Sequence, residues 1–201
     1  MRKIDDIAAL EALYGPPVSA SLRKVATSLT PRYWQWISAS KLCLLSTVGP
    51  DGTDGSPRGD NGPVVQALDA QTLAMPDWRG NNRLDSLRNI ITDGRVSLMF
   101  LVPGSDTVVR VNGHAIVTDD AEMRAQFEKA GQQPATVIVV TIAEVYFQCA
   151  RALLRAGTWT TGDQSEGLPS AGDFLAEMTD GDEGGRSYDA DWTPRAASTM
   201  W

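Results

Sequence analysis

Six short apolar runs, several rich in β-branched residues, follow one another between Lys41 and Phe147, and no strand–helix–strand unit repeats among them. That order argues against a parallel sheet, whose strands each need a crossover of a dozen or more residues. The runs are Lys41 to Val48 (KLCLLSTV), Pro63 to Leu68, Gln71 to Met75, Arg95 to Val102, Thr107 to Val117 and Thr136 to Phe147 (TVIVVTIAEVYF). Gly49-Pro50-Asp51-Gly52 and Pro103-Gly104-Ser105-Asp106 read as turns, and Asp69-Ala70 as the tip of a hairpin. The pattern predicts a mainly β fold with flanking helices, a six-stranded antiparallel barrel rather than a doubly wound sheet.

Helices flank these runs. Ser19 to Ser28 and Pro31 to Ser38 show helical spacing, the second with Thr30 as N-cap and Pro31 at the first helical position. Trp34 and Trp36 read as packing residues. From Asn82 to Thr92, Leu84, Leu87, Ile90 and Ile91 share one helix face, and Gly94 closes that helix. A further short helix is expected from Asp119 to Lys129. The chain divides into N-terminal helices over 1–40, a strand-rich domain over 41–159 and an acidic, partly mobile tail over 160–201. Within the tail, Asp173 to Met178 makes one or two helical turns, and the Gly/Asp-rich stretch from Asp180 to Asp189 reads as mobile.

The net charge of −7 is not spread evenly. Between Asp163 and Asp191 nine acids face a single base, Arg186, so the rest of the chain is close to neutral. Fourteen of the eighteen bases are Arg, six of them between Arg58 and Arg110. Arginine presents the planar fork that suits phosphate and carboxylate. A nucleic-acid partner is not expected, because bases are not clustered and the pI is near 4.7. No apolar run is long enough to span a membrane. Asp5, Asp6 and Glu11 interrupt the N-terminal apolar residues, which therefore do not read as a signal peptide. Cys43 and Cys149 sit in strand-like surroundings without metal spacing and read as two buried free thiols of a cytoplasmic protein.

Two segments carry the functional signal. SPRGD (Ser56 to Asp60) and PDWRGNNRLDS (Pro76 to Ser86) stand where strands end and a helix begins. Helix starts leave backbone N–H groups unpaired, and a nearby Arg can hold a phosphate in bidentate fashion. Arg58, with Gly59 allowing close backbone approach, and Arg79, Arg83 and Ser86 supply donors for a phosphate monoester. The alternative is ordinary capping by Asn81 or Asn82, with Asp85 in the first turn, and a surface pairing of Arg58 with Asp54 or Asp60. His114, the single histidine, has no partner set for nucleophilic catalysis and reads as structural. One His and two isolated Cys cannot supply a conventional transition-metal site. Redox chemistry would then belong to a bound cofactor, and no residue takes a catalytic acid or base role.

Four segments in order, SPRGD, PDWRGNNRLDSLRN (Pro76 to Asn89), RVSLMFLVPG (Arg95 to Gly104) and RVNGHA (Arg110 to Ala115), resemble the pyridoxamine 5'-phosphate oxidase-like FMN-binding flavoproteins of the split-barrel fold. The resemblance covers Lys41 to Trp159 and is closest to an uncharacterised bacterial branch of that family. It implies a six-stranded split barrel, and a homodimer with FMN bound at the subunit interface. Arg58 and Arg83 would grip the FMN phosphate, with Asn82 and Ser86 adding hydrogen bonds. The Met75-Pro76 backbone would border the flavin ring, and Arg155 and Trp159 would approach from the partner subunit. The implied activity is an FMN-dependent oxidoreductase acting on a small molecule. The alternatives are a flavin-binding module without catalysis, or a barrel holding a deazaflavin or haem. The chain departs from the branch at Gln148-Cys149-Ala150-Arg151, where a His-Cys-x-Lys pattern is usual, and at Arg155-Ala156, where Arg-Ser is usual. Its ending, AASTMW, lacks the Arg- and Pro-containing substrate motif of true pyridoxamine phosphate oxidases, which argues against vitamin B6 oxidation.

Overall fold

A computed structural model describes residues 1–200; Trp201, the last residue of the expected tail, lies outside the described residues. Three helices come first: α1 (Ile7–Tyr14), α2 (Ser19–Arg23) and α3 (Pro31–Ile37). Asp6 caps α1 by accepting from the Ala8 N–H at 3.1 Å, and Thr30 caps α3 by accepting from the Tyr33 N–H at 3.3 Å. Trp34 and Trp36 of α3 pack against the main core, as expected of packing residues.

Strands β1 (Leu42–Gly49), β2 (Gly52–Gly59), β3 (Gln66–Ala67) and β4 (Thr72–Asp77) precede helix α4 (Asp85–Thr92). Then come β5 (Arg95–Leu101), β6 (Val108–Thr118), helix α5 (Ala121–Ala125), β7 (Thr136–Gln148) and α6 (Arg151–Ala156). The seven strands form one sheet in the order β2-β1-β5-β6-β7-β4-β3, and every neighbouring pair is antiparallel. Alternation sets which face is buried. Cys43, Leu45 and Thr47 of β1 point inward with Val96, Leu98 and Phe100 of β5, while Leu42 and Leu44 stay exposed. The core continues through Leu73 and Met75 of β4, Val111 of β6 and Ile138 and Val140 of β7, with Leu87 and Ile90 of α4 and Ile37 of α3 laid against it.

The expected six-stranded barrel is thus a seven-stranded open sheet. The additional strand is β2, whose sequence GTDGSPRG has the composition of a loop. It becomes a strand by pairing with β1 along its whole length, from Leu42↔Gly59 to Gly49↔Gly52. As an edge strand it tolerates Pro57, which has no N–H to give to a ladder. Pro63 to Leu68 shrinks to the two residues of β3, because Val64 and Val65 are buried in the core outside the ladder. Helix α4 begins at Asp85 rather than Asn82, since Asn82 and Leu84 take left-handed backbone angles, φ 59° and 63°. Cys43 is buried as expected, but Cys149 is exposed in the turn after β7, so only one of the two thiols is sheltered.

Beyond α6 the chain forms a second helical unit, α7 (Ala171–Met178) and α8 (Gly185–Thr199). The sequence reads there as a linker with one or two helical turns, whereas the structure runs a fifteen-residue helix from Gly185 through Asp189, its composition notwithstanding. No helix among the described residues is long and apolar enough to cross a membrane.

Candidate ligand cleft at the seam of the sheet

In strand order β2 and β4 stand near opposite ends of the sheet, yet Arg58 of β2 and Asp77 of β4 form an ion pair, with side chains only 19% and 14% exposed. The sheet must therefore curl until its two ends face each other, and side chains hold the seam instead of a β-ladder. Asp60, just past β2, accepts from the indole Nε1 of Trp78 at 3.2 Å and from Nζ of Lys129. Two backbone bonds fix the approach from behind: the Asp60 N–H donates to the Lys41 carbonyl at 2.9 Å and the Val64 N–H to the Ser40 carbonyl at 3.0 Å.

Along this seam lies a cleft of about 1160 Å³. One wall is residues 54–61, which contain the SPRGD segment, and the other is residues 76–87, which contain PDWRGNNRLDS. Val64, then Ala135 and Thr136 at the start of β7, and Trp192 and Met200 from the C-terminal end of the chain, complete it. Of the residues expected to hold a ligand, Arg58, Pro76, Asn82, Arg83 and Ser86 line the cleft. Met75 does not: its side chain is 1% exposed and belongs to the core. Arg155 and Trp159 are also not among the lining residues. Arg155 is exposed on α6, and the Trp159 indole donates to the Ser105 carbonyl at 2.8 Å, beyond the far end of β7. Thr136 and Gln148 bound that thirteen-residue strand. Thr136 lines the cleft at one end, and neither Arg155 nor Trp159, which follow the other end, is among the lining residues.

The charges in the cleft are balanced rather than strongly positive. Arg58 faces Asp77, Arg83 donates through Nε to Asp85, and the Ser86 hydroxyl donates to Asp54. The Arg83 side chain is 79% exposed, so its pairing contributes little to stability. What remains for a ligand is specific. The Nε of Arg58 and the hydroxyl of Thr136 are both buried without a hydrogen-bond partner among the described residues. Buried polar atoms in that state are costly unless something else satisfies them. Both residues line the cleft.

The 78–84 loop prepares the second wall. Asn81 Oδ1 accepts from the Arg83 N–H at 3.1 Å, and the left-handed turns at Asn82 and Leu84 deliver the chain into α4. Leu84 holds a backbone conformation that costs an ordinary side chain energy, the kind of local strain that clusters at ligand sites. No side chain caps α4, and its first-turn residues Asp85, Ser86 and Leu87 line the cleft. Unpaired first-turn N–H groups of such a helix favour an anion.

Behind Arg58, Cys43 is its partner in the β1–β2 register. Burial pushes the Cys43 thiol up to about 12, against a smaller opposing pull from the Arg58 charge. It stays protonated and is no nucleophile. His114 is exposed on β6, away from the cleft. No group of three His, Cys, Asp or Glu residues among those described could hold a metal ion. Sequence reasoning missed Thr136, Trp192 and Met200. Thr136 is brought in by its register with Asp77, and the other two by the path of a tail that carries no motif.

A family model described as pyridoxamine 5'-phosphate oxidase matches residues 29–149. Among solved structures, a HupZ variant from Group A Streptococcus is 14% identical, with a TM-score of 0.50; the alignment covers 59% of this chain and 98% of that one. A Lactobacillus delbrueckii protein described as a candidate pyridoxamine 5'-phosphate oxidase is 23% identical, TM-score 0.46, over 60% of this chain and 95% of that one. The FAD binding protein of Mycobacterium smegmatis is 15% identical, TM-score 0.41, over 61% and 97%. No curated protein matches the sequence.

Proposed function

This chain belongs to the pyridoxamine 5'-phosphate oxidase family, and we propose that it binds FMN in the seam cleft and works as an FMN-dependent oxidoreductase on a small molecule. The observation that carries this reading is the convergence of SPRGD and PDWRGNNRLDS, from opposite ends of the strand order, on one cleft with two unsatisfied buried donors, Arg58 Nε and Thr136 Oγ1. The cleft is of the size that encloses a cofactor. The residues present fit an organic phosphate: the guanidinium of Arg58 keeps a free buried N–H, and Arg79 and Arg83 stand at the mouth beside the open N-terminus of α4.

In this reading Arg58 and Arg83 bind the phosphate, and Asn82, Ser86 and Thr136 orient it by hydrogen bonds. Asp77 holds Arg58 in place before the ligand arrives, which limits the side-chain entropy lost on binding. Pro76 and the backbone beside it border the ring, while the Met75 side chain anchors that backbone to the core. The bound flavin supplies the hydride acceptor and donor. A homodimer completes the site: Arg155 and Trp159, which do not line the cleft of their own chain, reach the cleft of the partner. The experiment is to purify the full chain without added cofactor, record its visible spectrum and titrate it with FMN. A flavin spectrum, or saturable FMN binding, is expected. A colourless protein that ignores added FMN ends the proposal. Anaerobic addition of NADH or NADPH, bleaching a bound flavin that recolours in air, separates an enzyme from a passive flavin carrier.

A further inference from the structure

We propose that Trp192 of the C-terminal helix α8 is the cover of the cleft and stacks on the flat ring of the ligand, so that this helix selects which planar heteroaromatic molecule is held. The proposal rests on the flavin reading for the identity of that ring.

Trp192 and Met200 line the same cleft as the two motif segments. They are not part of the fold that this chain shares with its family, which matches only residues 29–149. The HupZ alignment likewise covers 98% of that chain but only 59% of this one. The α7–α8 segment is built rather than loose. Ser170 and Asp173 form a capping box at the start of α7. Asp189 of α8 accepts from the Ser170 hydroxyl at 2.6 Å and from the Gly172 N–H at 2.9 Å, tying the two helices together. A Cβ at Gly184 would meet the Ala176 N at 2.6 Å, so only glycine lets the chain pass this close to α7.

On α8 the residues Tyr188, Trp192 and Arg195 fall at the i, i+4, i+7 spacing of one helix face. The two rings stack at 6.5 Å with planes 20° apart, and the Arg195 guanidinium lies 5.1 Å from the tyrosine ring centre and 5.5 Å from that of the tryptophan. The indole is therefore held in orientation, yet Trp192 remains 53% exposed. An aromatic face fixed by its neighbours and left open at a cleft is suited to a second flat ring. A preoriented side chain also loses little entropy when that ring arrives.

The test uses the full chain and two readouts. In a Cys149→Ser background, where Cys43 is buried and protonated, Asn81→Cys and Trp192→Cys are combined and treated with a short bismaleimide, without ligand. Intramolecular cross-linking is expected; its absence overturns the proposal. Separately, Trp192→Ala and Trp192→Phe are loaded with FMN and its release is followed by recovery of flavin fluorescence. Trp192→Ala should release FMN about tenfold faster, the size expected for losing one aromatic stack, while Trp192→Phe stays near wild type. Equal release rates for Trp192→Ala and wild type overturn the proposal even where FMN binds. Normal cross-linking of the double-cysteine variant, with no FMN uptake by the wild-type chain, removes the flavin reading and leaves the cover standing.

Discussion

Among the described residues the buried hydrophobic side chains all lie between Ile37 and Val145, whereas the α7–α8 hairpin buries only Gly172. In the sheet body stability comes from area removed from water, distributed over many interlocked side chains. In the hairpin it comes from a few exact fits: one capping box, one carboxylate shared between two helices and a glycine crossing. A region of the first kind loses stability in proportion to the volume removed. The second kind fails at single atoms and can fail alone.

The largest expected effect sharpens the first half of that contrast. Phe100→Ala removes a ring that is fully buried in β5 and should lower unfolding stability by about 3–5 kcal/mol, measured by denaturant melts; a loss below about 1 kcal/mol would mean the core does not carry the body. Next, Arg58→Ala cuts both the seam and the proposed phosphate contact. FMN affinity should fall by roughly 1.5–3 kcal/mol in a fluorescence titration, and unchanged affinity there and in Arg83→Ala would put the clamp elsewhere. Asp189→Ala tests the second half. It should cost the hairpin about 0.5–2 kcal/mol, the range for a lost cap, seen as faster hydrogen exchange over 170–199 with the melting of the body unchanged. A shift of the whole melt would dissolve the distinction. The mildest test is chemical: at neutral pH iodoacetamide should modify the exposed Cys149 and spare Cys43, whose proton stays on until the pH nears about 12. Labelling of both thiols in the folded protein would show that the body opens as readily as its surface.

The same contrast explains what could be read in advance. Alternation and β-branching mark β1, β5, β6 and β7, because those strands are made by the burial of their own side chains. They do not mark β2, an edge strand of Gly, Asp and Pro that exists because β1 offers it a ladder. The two motif segments were legible as candidates for one site, and Arg58, Asn82, Arg83 and Ser86 do share one cleft. Their carboxylate partners were not. Asp77 reaches Arg58 only after the sheet curls, a relation between distant strands that no local spacing records. Thr136 is hidden for the same reason, and Trp192 because nothing near it in sequence says which surface α8 lies on.

The strand order has a further consequence for how the protein comes into being. Strand β4, which carries one wall of the cleft, pairs with β3 and otherwise only with β7, where Asp77 meets Thr136 about sixty residues further along the chain. During synthesis from the N-terminus, β1 and β2 can close as a hairpin at once, and β5 can join them soon after. The β3–β4 segment must wait, with a two-residue ladder and its apolar residues Leu73, Ala74 and Met75 uncovered, until β7 leaves the ribosome. Long-range pairing of this kind is the slow part of folding and the stretch most open to misassociation. The cleft is therefore among the last features to form on the nascent chain, and a ligand can help only after the sheet has completed itself.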